Sequence, residues 1–387
     1  MGVQLNHRTV GEIDSPIGTT YALVDGRDPG GLLDLAQAAP RYPPPPEVVD
    51  HIAATARRPD ASGYVEIAGL PRLREAVAAE VRAAYGGRVD ADQVVVTAGC
   101  NQAFCLVASA LAGPGDEIVL VVPYYFNHDM WLRMNGVVPV YLDAGPGSVP
   151  TAAQAERVIT PRTRAVVLVS PGNPSGVTAD PAAIVDLYRV AARHDVALVL
   201  DETYRVFRDT DEPAHPLFAE PDWPRALVSL HSFSKEFAIP GYRVGAVIGS
   251  TDLNREVAKL LDCVAICAPR IGQEAAWAGL TTATDWRRAR ALEVAAKRRW
   301  FTEAMESRPG GFELVSVGGF FGWIRHPFVG RRTGDLVRDL VTRCDTLVIP
   351  GTAFMPDDHR MLRVSVGNAD RDTLFDVADR LRRYRSQ

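Results

Sequence analysis

A lysine, two hydroxyls and an arginine are gathered in one short stretch, Ser232 to Gly245, which reads S-F-S-K-E-F-A-I-P-G-Y-R-V-G. Lys235 follows Ser232 and Ser234, and Arg243 comes eight residues later, between Gly241 and Gly245. The preceding run Ala226-Leu227-Val228-Ser229-Leu230 is apolar enough for a buried strand, which puts the lysine at a strand end. A lysine there is costly unless its charge is lost or used. Burial lowers its pKa and leaves a free amine, a nucleophile able to form a Schiff base with a carbonyl. Hydroxyls and a forked, permanently charged guanidinium beside it suit a phosphate. A carbonyl that also carries a phosphate describes pyridoxal phosphate. Taken alone, S-x-S-K is as well read as a surface loop after a strand, so the rest of the chain decides.

Pyridoxal phosphate makes further demands. An anion must keep the pyridine nitrogen protonated so that the ring accepts electrons; Asp201, after the run Val196 to Leu200, can supply it. Donors should hold the ring's phenolic oxygen, and an aromatic face should stack on the ring. Asn173 and Tyr204 are placed for the first role and Tyr125 for the second. An arginine should take the substrate carboxylate in a forked pair; Arg363, in Arg360-Met-Leu-Arg363-Val-Ser365, is the candidate. Thr97-Ala98-Gly99-Cys100-Asn101 reads as a small-residue turn into a helix, whose first N–H groups and positive dipole end suit a phosphate. Each feature by itself can also be an ordinary strand end, turn or core residue.

The elements that must position these residues alternate. Val94 to Val96, Glu117 to Val122, Val137 to Leu142, Arg164 to Ser170, Val196 to Leu200, the lysine strand and Val244 to Ile248 read as short buried strands. Helices at Glu47 to Arg58, Pro71 to about Tyr85 and Pro181 to His194 lie before or between them. The pattern predicts an α/β fold, with a large domain whose mainly parallel seven-stranded sheet is flanked by helices on both faces. In such sheets ligands bind beyond the carboxyl ends of the strands. Gly99, Tyr125, Asn173, Asp201 and Lys235 each fall just past such an end. The alternation stops near Ile266. Gln273 to about Glu306 reads as one long helix, with Arg287, Arg288, Arg290, Lys297, Arg298 and Arg299 as a solvated charged face. Phe312 to Val317, Phe320 to Arg325, Leu347 to Pro350 and Met361 to Val366 then read as strands, with helices near 335–343 and 373–384, forming a small α+β domain. The expected division is a large domain over 46–270 and a small domain built from 1–45 and 271–387.

Composition narrows the class. The 387 residues are 47% hydrophobic and 23% charged with a formal charge of −5, which leaves no footprint for nucleic acid or an anionic membrane. No apolar run approaches membrane-spanning length. Met1 to Asp14 lacks the basic start and apolar core of a signal peptide. Five scattered cysteines argue against a disulfide framework and suit a reducing cytoplasm. Cys100/Cys105 and Cys263/Cys267 lack zinc-site spacing, so no metal is expected.

With these residues in order, the chain resembles the class I and II aminotransferases, the fold-type I pyridoxal phosphate enzymes related to aspartate aminotransferase, over nearly its whole length. Thr97 to Ala103 is similar to that family's phosphate loop, T-x-G-x-x-x-A; Tyr125 falls two residues after Pro123; Asn173 falls in N-P-x-G, Asp201 and Tyr204 in D-x-x-Y, and Ser232, Ser234, Lys235 and Arg243 in S-x-S-K followed by G-x-R-x-G. Arg363 matches the family's R-x-S. The resemblance implies a cofactor site of Gly99, Cys100, Asn101, Tyr125, Asn173, Asp201, Tyr204, Ser232, Ser234, Lys235 and Arg243. Lys235, Asp201 and Tyr204 would be catalytic, and Arg363, Asn173 and Ala38 would meet the substrate. It implies a homodimer with shared active sites, in which Tyr64 reaches the neighbouring subunit's phosphate. Ala36 and Ala38 depart from it, standing where relatives carry glycines; their methyls would tighten the space beside the substrate. Arg270 is also unusual, read first as a surface or interface ion pair and second as a contact to an acidic substrate across the dimer.

The implied activity is transfer of an amino group from an L-amino acid to a 2-oxo acid through Lys235. The same scaffold also runs elimination or replacement (including on S-adenosylmethionine), decarboxylation or oxidation, and the lysine motif does not separate these. A ligand-sensing regulator of this fold would need a DNA-binding module, and a scaffold without chemistry would not keep every site position filled.

Overall fold

Seven strands lie side by side in the order Val94–Thr97, Gly245–Ile248, Leu227–Ser232, Ala197–Asp201, Thr163–Val169, Glu117–Val122 and Val138–Asp143. Only Gly245–Ile248 runs against the rest, antiparallel to both of its neighbours. The expected mainly parallel sheet is therefore present, with one reversed strand inside it. The computed structural model describes residues 2–26, 30–145, 147–307 and 310–384.

Two apolar cores explain why these runs fold as strands. In Glu117–Val122, Ile118, Leu120 and Val122 enter one core, with Phe104 and Val107 of the helix Cys100–Leu111; we call this side the front. Val119 and Val121 enter the other, with Leu73 and Val77 of the helix Pro71–Tyr85 and Ile184 of the helix Pro181–Arg193. Alternate side chains thus meet two layers of helix, and a strand buried on both faces reads as a continuous apolar run. Each fully buried Leu, Ile or Val adds roughly 2 kcal/mol. Pro46, Pro71 and Pro181 each stand at the start of a helix, where the missing N–H costs nothing.

A second, antiparallel sheet runs Ile349–Pro350, Met361–Ser365, Phe321–Arg325, Glu313–Gly318. It packs on the helices Thr284–Ser307, Thr333–Cys344 and Arg371–Arg383 through Phe301, Leu336, Leu340, Leu374 and Val377. Leu33–Asp34 pairs in parallel with Thr346–Leu347, tying the N-terminal segment to this part.

Two expectations need correction. The long helix is two, Arg270–Thr282 and Thr284–Ser307, broken at Ala283. The first packs against the helices Pro46–Ala56 and Pro71–Tyr85, and its Ala275, Ala276 and Ala278 belong to the rear core of the large sheet. Nor is the basic face simply solvated. Lys297 and Arg298 are buried and donate to the carbonyl oxygens of Gly367 and Gly319, while Arg287 pairs with Glu80 and Glu236. These cations point into the seam between helix and loops, where backbone carbonyls and carboxylates replace water. Among the described residues no helix is long and apolar enough to cross a membrane.

Candidate active site

The carboxyl ends of the strands open onto a cavity of about 180 Å³. Cys100, Asn101, Tyr125, Asn173, Asp201, Tyr204, Ser232, Ser234, Lys235, Arg243, Arg363 and Ala38 all line it. Gly99 stands just behind, with φ +89°, and a Cβ there would meet the Arg243 guanidinium at 2.3 Å. Glycine lets the turn into the helix Cys100–Leu111 close against that arginine. The helix's first N–H groups, Ser232, Ser234 and Arg243 therefore form one end of the cavity, built to hold an anion.

Asp201 is a buried carboxylate on the same cavity wall. Its Oδ1 accepts the Thr203 N–H at 3.0 Å and lies 3.5 Å from Cys100 Sγ. Its Oδ2 is 3.5 Å from His128 Nε2. Burial and the adjoining Asp201 push the Cys100 thiol up, so it stays protonated. Burial pulls His128 down to about 4, a neutral imidazole stacked on Phe104 at 3.8 Å.

Lys235 sits in the single turn Phe233–Glu236, capped by Ser232 Oγ accepting the Ser234 N–H. Burial, then the cations Arg243 and Arg363, bring its amine down to about 8. Its pKa is pulled no way back, because no carboxylate pairs with it among the described residues.

Arg363 comes from the small sheet. Its Nη1 donates to Asn173 Oδ1 at 2.9 Å, its Nη2 donates to the Ala36 carbonyl, and its guanidinium lies 5.0 Å from the ring centres of both Phe321 and Phe354. It is 2% exposed, its Nε has no partner among the described residues, and burial brings it down to about 10, still charged at neutral pH. A buried cation without a carboxylate is ready to take one from a ligand.

Some expected residues lie elsewhere. Tyr64 is 78% exposed and outside the cavity. Arg270 bonds Asp60 through side chain (2.8 Å) and carbonyl (2.6 Å), an ion pair within the chain. Sequence reasoning missed His128, Thr203, Gln37 and Phe126. For His128 the available signal was a histidine in the first turn of the helix Phe126–Met134, opened at a strand end.

A doubly covered, mostly parallel sheet whose strand ends gather a buried lysine, a buried aspartate and a helix N-terminus beside an arginine is the arrangement of the fold-type I pyridoxal phosphate enzymes. The family described as "Aminotransferase class I and II" matches residues 31–381, and the chain belongs to it; this is a pyridoxal phosphate-dependent family of aminotransferases. An aromatic aminotransferase of Arabidopsis thaliana is 31% identical over 361 residues, 91% of this chain and 89% of the relative. An aspartate/prephenate aminotransferase of Thermus thermophilus is 30% identical over 334 residues, 84% of this chain and 83% of the relative. The solved aspartate aminotransferase from Thermus thermophilus with maleate superposes with a TM-score of 0.89 at 26% identity, covering 99% of this chain and 100% of that one.

Proposed function

We propose that the cavity holds pyridoxal phosphate and that the chain uses it to move an amino group from an L-amino acid with an uncharged side chain to a 2-oxo acid. The carrying observation is the lining itself: three cations, Lys235, Arg243 and Arg363, against one carboxylate, Asp201. That surplus suits a phosphate carrying close to two negative charges, and the donor set fits the rest of the group.

In this reading Arg243, Ser232, Ser234 and the N–H groups of Cys100 and Asn101 hold the phosphate, with Gly99 leaving room. Tyr125 would cover one ring face, Asn173 and Tyr204 would hold the phenolic oxygen, and Asp201 would hold the ring N–H. Bound there, pyridoxal phosphate supplies an electron sink that makes the donor's α-proton acidic. Arg363, steadied by Asn173, takes the donor's α-carboxylate and so fixes which α-substituent faces Lys235. With the coenzyme bound, the Lys235 amine would take the α-proton and be placed to return it at the coenzyme's C4′ carbon. Water would then release the donor as its 2-oxo acid while the amino group stays with the coenzyme, and a second 2-oxo acid would take that amino group by the same steps reversed.

Ile17, Gln37, Ala38 and Phe126 are the lining residues left over for the donor's side chain in this reading. Among the described residues of this chain, with the three cations committed, this group offers no counter-charge to a second carboxylate, and with Asp201 committed, none to a side-chain ammonium. Mixing loaded protein with single amino acids, without an acceptor, should bleach the visible coenzyme band and release about one 2-oxo acid per site for methionine, leucine, phenylalanine or glutamine. Aspartate, glutamate and arginine should react far more slowly. Many turnovers of product without an acceptor would show elimination or oxidation instead.

The depressed amine gives a second test. Only the neutral amine attacks an aldehyde, so capture of pyridoxal phosphate by the apoprotein should rise with pH and reach half its maximum near 8, where an ordinary lysine would wait until about 10.5. The rate at which visible absorbance appears after mixing reports this. A rate flat from pH 7 to 9 would contradict a titrating Lys235.

We further propose a homodimer in which the exposed Tyr64 reaches the neighbouring site, and a cytoplasmic setting, which the five unpaired cysteines support. The boundary between the two domains is best drawn near Ala283, after the helix that packs on the large sheet.

A further inference from the structure

The chain runs on from the strand end Asp201 to Glu202, and the contacts put the two carboxylates on opposite faces of the sheet, Asp201 beside Cys100 and His128 and Glu202 beside Tyr85. Asp201 faces the cavity. Glu202, 1% exposed, faces the rear and meets the lysine strand there. Ser229 Oγ donates to its Oε2 at 2.5 Å, and Tyr85 Oη, from the end of the helix Pro71–Tyr85, donates to its Oε1 at 2.6 Å. The Nε2 atoms of His215 and His231 each stand 3.6 Å from Oε2. His215 Nδ1 accepts the Leu217 N–H at 3.3 Å, so a neutral His215 carries its proton on Nε2, facing the carboxylate.

The lysine strand alternates in the same way. Ser229 and His231 point to the rear beside Glu202, while Leu230 enters the front core and Ser232 lines the cavity. The backbones are joined too, Glu202 N–H donating to Leu230 O at 2.9 Å. Further back on the same face the two strands touch through Leu198, Leu200 and Leu227, all apolar. The polar cluster begins at Ser229 and lies toward the carboxyl ends of the two strands, on the face opposite the cavity. A leucine would fill that layer if packing were its whole purpose.

We propose that Glu202 is a positioning residue. From behind the sheet its carboxylate clamps the end of the aspartate strand to the end of the lysine strand, and so sets the distance from Asp201 to the turn that carries Ser232, Ser234 and Lys235. The inference rests on the coenzyme reading above, since that distance matters to the reaction only when both sides face one ligand.

The test uses the full chain loaded with pyridoxal phosphate, as wild type, Glu202→Gln and Ser229→Ala. Three quantities are read: the pH midpoint of the coenzyme's visible absorbance, kcat and KM with a working donor, and the thermal midpoint. Glu202→Gln keeps size and shape but replaces one acceptor oxygen by a donor that faces other donors. It should shift the absorbance midpoint and lower kcat about tenfold, with KM changed less than about threefold. Ser229→Ala should move the same quantities in the same direction by less. A lower thermal midpoint with wild-type absorbance midpoint and kcat would make Glu202 a packing residue and overturn the inference. If Glu202→Gln fails to fold, Ser229→Ala decides, and unchanged absorbance and kcat there overturn it. A wild type that shows no visible band with pyridoxal phosphate would take down the coenzyme reading, and this inference with it, before any variant is compared.

Discussion

Lys235→Ala is expected to lower multiple-turnover amino transfer by roughly 10⁴-fold, to the limit of detection. In the proposed reading the alanine lacks both the nucleophile that would hold the coenzyme aldehyde and the base that would move the α-proton, and none of the described residues lining the cavity replaces it. Tyr204 is buried, with a hydroxyl that burial pushes far above its ordinary value; His128 is neutral but stands at Asp201. The loss should not come from unfolding. Lys235 has no carboxylate partner among the described residues, and its charged neighbours are the cations Arg243 and Arg363. Removing it deletes a repulsion and leaves no orphaned anion, so the thermal midpoint of the apoprotein should hold or rise. Lys235→Arg separates charge from chemistry, because it keeps the positive charge but cannot give up a proton at working pH; it should be as inactive as the alanine variant. The assays are steady-state release of 2-oxo acid and the melting curve. Turnover retained in either variant would remove Lys235 from the reaction.

The strand ends were the most legible part of the molecule. Doubly buried strands carry nearly unbroken Val, Ile and Leu runs, so each end is marked where polar or small residues resume, and Gly99, Tyr125, Asn173, Asp201 and Lys235 all stood at such marks. What depends on the backbone of a distant segment was not legible. Ala36 was expected to act through its methyl, but the structure uses its carbonyl, which accepts from Arg363 more than 300 residues later. No spacing rule announces that contact. The charged helix misled for a related reason. A run of arginines looks solvated until loops supply carbonyls, and Gly319 and Gly367, which receive Arg298 and Lys297, belong to the other sheet's turns. Glu202 was hidden by its neighbour: next to a residue with an obvious role, its sidedness appears only once Ser229 and His231 are seen on the same face.

Asp201→Asn should have the second-largest effect, a fall in kcat of about 10³-fold with the KM for the donor changed far less. In the proposed reading the aspartate contributes a full negative charge at the ring N–H in a buried place, and the amide would supply only a dipole. Because that charge would act on the electron demand of the reaction and not on the donor's carboxylate, which is assigned to Arg363 in the same reading, the loss belongs in kcat. Geometry adds to it. Oδ1 now accepts the Thr203 N–H with the Cys100 thiol beside it, and Oδ2 faces His128 Nε2. An amide keeps one acceptor, so turning its oxygen to Thr203 leaves its NH₂ toward His128, where a lone pair must then be presented. The imidazole can do this by moving its proton to Nδ1, which has no partner among the described residues. Asp201→Asn should therefore fold and still take up pyridoxal phosphate, held by Arg243 and the helix N-terminus, while working slowly. Asp201→Glu keeps the charge but lengthens the arm by one methylene in a filled cavity, and should fall between wild type and the amide. Stopped-flow absorbance on single turnovers distinguishes the two effects. If Asp201→Asn instead matches wild type in kcat, the charge at this strand end does not serve the coenzyme ring, and the orientation assigned to pyridoxal phosphate in the cavity must be reversed.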